Sequence, residues 1–161
     1  MSLLKIGLGG GCHWCTEGVF SIIKGISQIE QGWIASTPPF DDFSEAIIVH
    51  YDPEIISLNN LIQMHLHTHA CTSNHSMRGK YRSAIYVFNN EDKSTSQNAL
   101  DQLSSEFDKP IITQVLDYSS FKPTEEKYQD YYQKNPEKPF CQTYIEPKVK
   151  LLIASFKEYV K

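Results

Sequence analysis

What the 161-residue sequence lacks narrows it before any motif is considered. No apolar run approaches the roughly 18–20 residues of a membrane span. Lysine and arginine nowhere cluster, and the formal net charge is −4, which argues against a nucleic-acid-binding face. The N-terminus has no basic start followed by a long apolar stretch, so no signal peptide is expected. Four cysteines are too few to be read as a disulfide scaffold in a chain of this size, and a reducing cytoplasm is the expected setting. There are no repeats and no low-complexity tract. Hydrophobic residues at 40% and charged residues at 21% suit one folded domain over residues 1–161 with a real core, monomeric by default.

Against that plain background one stretch stands out, Gly9-Gly10-Gly11-Cys12-His13-Trp14-Cys15-Thr16-Glu17. It follows the apolar run Leu3 to Leu8, which reads as a buried strand. It precedes Val19, Ile22, Ile23 and Ile26, which recur at helical spacing. The glycines therefore sit where a strand turns sharply into a helix. Cys12 falls at the first helical turn, where unpaired N–H groups and the helix dipole favour a thiolate. Cys15 lies three residues on, within reach for a disulfide. Half a metal site, or two small buried side chains, are the other readings of the same spacing.

Strands are expected at Ser27–Ser36, Glu45–Tyr51, Ser83–Phe88 and Pro110–Tyr118, with helices from Ser57, from Asn89-Asn90 to about Phe107, and from Val149 to Val160. Two strands follow one another between residues 27 and 51. Five strands with interleaved helices therefore predict an α+β fold with a mixed sheet rather than a βα alternation. The segment Glu125–Asn135 reads as helical at first, and Asn135–Pro139 as a loop with Cys141 just beyond it, which reads either as a second resolving thiol on a mobile loop or as an inert cysteine.

Glu45 opens an otherwise apolar strand. A carboxyl there is either a solvated strand end or a partly buried proton donor. Tyr81 offers a phenol before the next strand. Tyr128, Tyr131 and Tyr132 read either as a packed helix face or as donors beside Cys141. The run His65-Leu66-His67-Thr68-His69-Ala70-Cys71, with His75, invites a metal reading, but no second Cys/His pair at zinc spacing accompanies it.

In order, these segments resemble the peptide methionine sulfoxide reductases that act on the S-epimer, over almost the whole chain. The family's Gly-Cys-Phe-Trp opening with a following Glu stands here as Gly11-Cys12-His13-Trp14-Cys15-Thr16-Glu17. Glu45 ahead of Tyr51-Asp52-Pro53, the run Gly79 to Tyr86, Tyr128 to Tyr132 leading into Asn135-Pro136, and Phe140-Cys141 match in turn. The resemblance implies a ferredoxin-like mixed sheet. It also implies a mechanism in which Cys12 attacks the sulfoxide sulfur and Glu45 protonates the oxygen, oriented by Tyr81 and Tyr131. Cys12 is left as a sulfenic acid, resolved by Cys15 or Cys141 and recycled by thioredoxin, with no metal or organic cofactor. His13, Trp14 and Trp33 would line the substrate.

This chain departs from the family where His13 replaces the Phe of the apolar wall and Trp33 replaces a Tyr. The loop between Trp33 and Glu45 is also short. His69-Ala70-Cys71-Thr72 stands for His-Asp-Pro-Thr, and an acidic residue before Tyr81 is missing. A divergent reductase is the expectation. A metal-binding protein on the same fold, or a disulfide oxidoreductase using Cys12 and Cys15, are the alternatives.

Overall fold

The computed structural model describes residues 4–74, 76–135 and 137–161, and the side chains of Ser76, Tyr128 and Tyr131 lie outside the description. The chain begins with β1 (Leu4–Gly9), α1 (His13–Phe20), β2 (Ile26–Ala35), β3 (Ser44–Tyr51), α2 (Leu58–His67) and β4 (Ala84–Val87). It continues through α3 (Asn90–Leu103), β5 (Gln114–Asp117), β6 (Ser120–Pro123), α4 (Tyr131–Lys134) and α5 (Glu146–Ser155). The strands form one six-stranded sheet in the order β5-β4-β1-β3-β2-β6. Since β3 runs antiparallel to both β1 and β2, those two are parallel to each other, with α1 as the crossover. With β4 antiparallel on the far side of β1, the inner four strands make the ferredoxin-like core. β5 adds in parallel beside β4 and β6 antiparallel beside β2, so the sheet is mixed as expected.

β6 is a strand that the sequence pattern does not announce. It is a short edge strand, mostly exposed, whose Ser120-Phe121-Lys122-Pro123 lacks an apolar alternation. Its place is made by Gly32 on β2, where any Cβ would strike the Lys122 carbonyl and the Phe121 ring. The last helix also differs. It starts earlier than expected, after a π-helical turn at Cys141–Ile145, because Glu146-Pro147 suits a first helical turn.

The main core lies between one face of the sheet and the helices. Ile6, Leu8, Ile47 and Val49 meet Phe20, Leu61, Ile62, Met64 and Leu152 there. A smaller apolar cluster, Ile34, Ala46, Ile48, Ala84 and Tyr86, fills the other face. β3 is therefore buried on both sides, which explains its uninterrupted Ala46-Ile47-Ile48-Val49 run. The α2 helix is capped by Ser57, whose hydroxyl accepts the Asn60 N–H at 3.1 Å. Truncating such a cap costs about 1 kcal/mol.

Candidate active site

The turn from β1 into α1 is held from beneath. Arg78 donates to the carbonyls of Gly10 (2.9 Å), Tyr81 (2.8 Å), Ser73 (2.9 Å) and Ala70 (2.6 Å). A Cβ at Gly10 would collide with the His69 ring, whereas Gly11 faces open space. The glycine run is thus sterically required at Gly10 and not at Gly11. His65 donates from Nε2 to the Gly9 carbonyl at 2.9 Å, and His69 donates from Nδ1 to the His65 carbonyl at 2.5 Å. The Ser83 hydroxyl reaches His69 Nε2 at 2.8 Å and is in turn 2.7 Å from the Thr113 hydroxyl. The two imidazoles therefore brace the turn, their rings tilted by 31° with centroids 4.2 Å apart, and burial lowers the pKa of both. Among the described residues no cluster of three metal-ligating side chains forms, and His75 lies outside them. Cys71 is buried in the main core, with its pKa raised by that burial, and serves packing there.

Cys12 is the N-cap of α1. Its carbonyl accepts the N–H groups of Cys15 (3.0 Å) and Thr16 (3.1 Å). The Cys15 thiol donates to the Cys12 sulfur and holds its pKa below the ordinary thiol value. The N–H groups of Trp14 and Cys15 add to this, while burial and the Glu45 carboxyl oppose it. The same hydrogen bond, followed by burial, pushes the pKa of Cys15 far up. A thiol of lowered pKa at a helix start, with a second thiol donating to it, has the features that favour nucleophilic use.

Glu45 is 6% exposed, so the solvated strand end is excluded. It pairs with Trp33 in the β2–β3 register and points to the α1 side. Its Oε1 accepts the backbone N–H of His13 at 3.2 Å and stands 3.5 Å from His13 Nε2, while Lys80 Nζ lies 3.6 Å from Oε2. The Glu45 carboxyl and the Cys12 thiol are thus tied to adjacent residues of one helical turn. His13 is buried, its ring edge-on to Trp33 at 5.1 Å, and burial lowers its pKa against the opposing pull of the Gly32 carbonyl and Glu45. Lys80 also binds the Tyr81 phenol, which contributes most to raising the lysine's pKa, so this ammonium joins Tyr81 to Glu45.

Trp14 packs edge-on against Phe140 at 5.4 Å, not against His13. The expected wall is accordingly split into two aromatic pairs, His13–Trp33 and Trp14–Phe140. Cys141 is not on a mobile loop. It is fully buried in the π-helical turn, packed with Cys15, Ile145 and Val149 and flanked by Cys12 and Tyr132. Phe140 and Ile145 are apolar residues that drive this segment inward, and burial raises the Cys141 pKa. Cys12, Cys15 and Cys141 therefore gather in one apolar cluster, all as free thiols.

Two further residues were given no role by sequence reasoning. Lys80 sat inside a matched run, but its meeting with Glu45 depends on a contact across the sheet. Glu17 is buried and accepts from Gln31 Nε2 at 2.7 Å and from the Asp130 N–H at 2.9 Å. It fixes the backbone that leads into α4, where Asp130 has a left-handed φ of 56°. Tyr131 begins that helix, and its side chain lies outside the described residues. Glu17 lies five residues past the Cys12 N-cap, beyond the N3 place of a capping-box glutamate, and its partners on β2 and before α4 are long-range, so no local pattern gave its role.

A peptide methionine sulfoxide reductase family model matches residues 4–159 of this sequence. The chain belongs to the peptide methionine sulfoxide reductase family. Peptide methionine sulfoxide reductase MsrA of Deinococcus radiodurans is 34% identical, with 87% of this chain and 76% of that protein covered. The MsrA of Trichodesmium erythraeum is 31% identical, covering 95% and 96%. Among solved structures, the reduced form of Mxr1 from Saccharomyces cerevisiae superimposes with a TM-score of 0.74 at 22% identity, over 89% of this chain and 91% of that one. Mxr1 has also been solved in complex with Trx2, with a TM-score of 0.63 at 21% identity over 81% and 85% of the two chains. These likenesses carry the ferredoxin-like fold. Membership of this family favours neither the metal-binding nor the plain disulfide-exchange alternative. No helix among the described residues is long and apolar enough to cross a membrane.

Proposed function

We propose that this chain, as one domain over residues 1–161, reduces the S-epimer of methionine sulfoxide, in proteins or free, to methionine. The observation that carries this reading is the Glu45 carboxyl at 3.2 Å from the His13 N–H, next to the Cys12 thiolate position. The Cys12 thiolate attacks the sulfoxide sulfur. The oxygen leaves for Cys12 only when protonated, because an unprotonated oxide is a poor leaving group. Glu45 supplies that proton, and the phenols of Tyr81 and Tyr131 orient the oxygen. His13, Trp14 and Trp33 surround the methyl end.

The products are methionine and a Cys12 sulfenic acid. A second thiol then condenses with it, releasing water and forming a disulfide. Cys15 is already hydrogen-bonded to Cys12, and Cys141 shares its apolar cluster. A dithiol protein of the thioredoxin kind returns the thiols by exchange. No step requires a metal or an organic cofactor.

The test is consumption of the separate S- and R-epimers of a blocked methionine sulfoxide with dithiothreitol, for wild type and Cys12→Ser. Turnover of the S-epimer alone, abolished in Cys12→Ser, is expected. Turnover that persists in that variant, or none of either epimer by the wild type, would overturn the reading.

A further inference from the structure

His13 has a chemical consequence beyond packing. Its Nδ1 lies 2.8 Å from the Gly32 carbonyl oxygen, which can only accept, so Nδ1 carries a hydrogen. In a neutral imidazole Nε2 is then a lone pair, and it faces Glu45 Oε1 at 3.5 Å. Their side chains are only 7% and 8% exposed, so little water can separate them. A carboxylate opposite an imidazole lone pair is repulsive in such a site. A single proton removes the repulsion, whether it rests on the carboxyl or on Nε2, and the pair is then neutral overall.

Resting on the reductase reading above, we propose that His13 and Glu45 hold one proton in common. This pair, rather than an isolated carboxyl, delivers the proton consumed at the sulfoxide oxygen. His13 is a positioning residue here, because it acts through Glu45. The electrostatic setting is mixed. Lys80, 3.6 Å from Oε2, opposes retention of the proton, and the Cys12 thiolate on the same helical turn favours it. Trp33 presents an uncharged ring edge, and Lys122 lies beyond it at 5.8 Å from the indole ring. Burial disfavours the imidazolium, and Glu45 compensates in part.

The step balances. The Cys12 thiolate and the shared proton enter with the sulfoxide. The sulfoxide S–O bond breaks as the S–O bond of the Cys12 sulfenic acid forms. The sulfoxide sulfur gains two electrons from the thiolate sulfur, and methionine leaves. Imidazole and carboxylate remain, to be reprotonated from solvent. Because two coupled groups retain a proton to higher pH than either alone, the pair extends the working range upward.

Two measurements test it. In reduced, ring-¹⁵N-histidine-labelled protein, the His13 signals should show Nδ1–H. Their deprotonation step should lie at least about one pH unit higher in wild type than in Glu45→Gln, the size expected of groups that interact strongly enough to titrate together. In single-turnover reduction of the S-epimer, the alkaline limb of the rate should fall by about one pH unit in His13→Phe and His13→Gln. That is roughly a tenfold loss at high pH relative to each variant's own acid plateau. Coincident His13 titrations in wild type and Glu45→Gln would overturn the pair, and so would an alkaline limb shared by all the proteins. An inactive wild type whose His13 still titrates with Glu45 would overturn the reductase reading instead and leave the pair standing.

Discussion

The two halves of the site are built differently. The acid half, Glu45, His13, Trp33 and Lys80, is anchored on β3, the first residue of α1, β2 and the β4 approach, and the Glu45 and His13 polar atoms are met by an N–H group, a carbonyl and a charge. The thiol half, Cys15 and Cys141, lies among Ile145, Val149, Tyr132 and Phe140 on helical segments, where the hydrogen bond to Cys12 and then burial raise the Cys15 pKa and burial raises that of Cys141. The contrast follows the chemistry. Proton delivery needs a fixed geometry, which a strand buried on both faces provides. Disulfide formation needs the sulfurs to come together and later be exposed to a reductant, which helices at the edge of the core permit more readily than a central strand.

The comparison is broken most severely by Glu45→Gln, which keeps the shape of the acid half and removes its proton. The rate of S-epimer reduction should fall roughly 10²–10⁴-fold, measured in a single turnover so that thiol recycling does not intervene. Next comes the brace between the halves. Glu17→Ala leaves the Asp130 N–H and the Gln31 amide without this acceptor and should cost about 1–3 kcal/mol in urea unfolding.

The turn beneath Cys12 gives a pH-dependent effect of similar or smaller size. Burial lowers the His69 pKa from 6.5 to about 4 in the folded chain. The neutral ring therefore contributes stability that is complete above pH 6.5 and lost as pH falls toward 4. Between pH 7 and 5 the wild type should lose about 1–2 kcal/mol through this residue, and His69→Gln should lose less over the same interval. Smallest is Cys15→Ala, which removes the donor to the Cys12 sulfur. Alkylation of Cys12 by iodoacetamide at neutral pH should slow several-fold as its pKa rises, within the range such thiols span. An unchanged rate would mean that the helix start alone activates Cys12, and the two halves would then be less coupled than their contact implies.

Some of this was legible in the residues themselves. The strand–glycine–cysteine–helix switch, the Ser57 cap and the apolar β3 run are local, and each has one favourable local conformation. Sequence order alone also placed Glu45 at the start of β3, but its two readings, solvated end or buried acid, differ only in what lies across from it. The β6 strand was invisible because its signal is the missing Cβ of Gly32 on a different strand. Cys141 was expected on a loop because Asn135–Pro139 is rich in turn residues, and burial of Phe140 and Ile145 outweighed that local preference. The histidines of the 65–71 run suggested ligands, since the sequence does not reveal that His65 and His69 bond backbone carbonyls and that His67 pairs with the Glu106 carboxylate.

The sequence by itself determined that Cys12 stands at the start of a helix behind a buried strand, and most of the strands and helices, because these depend on groups a few residues apart. Only the tertiary structure decided that Glu45 is buried, that His13 Nε2 faces it, that Lys80 reaches it, and that Cys141 joins Cys15. Those relations link residues separated by tens of positions. Their energies depend on burial and on the exact partner across the sheet, neither of which any local pattern encodes.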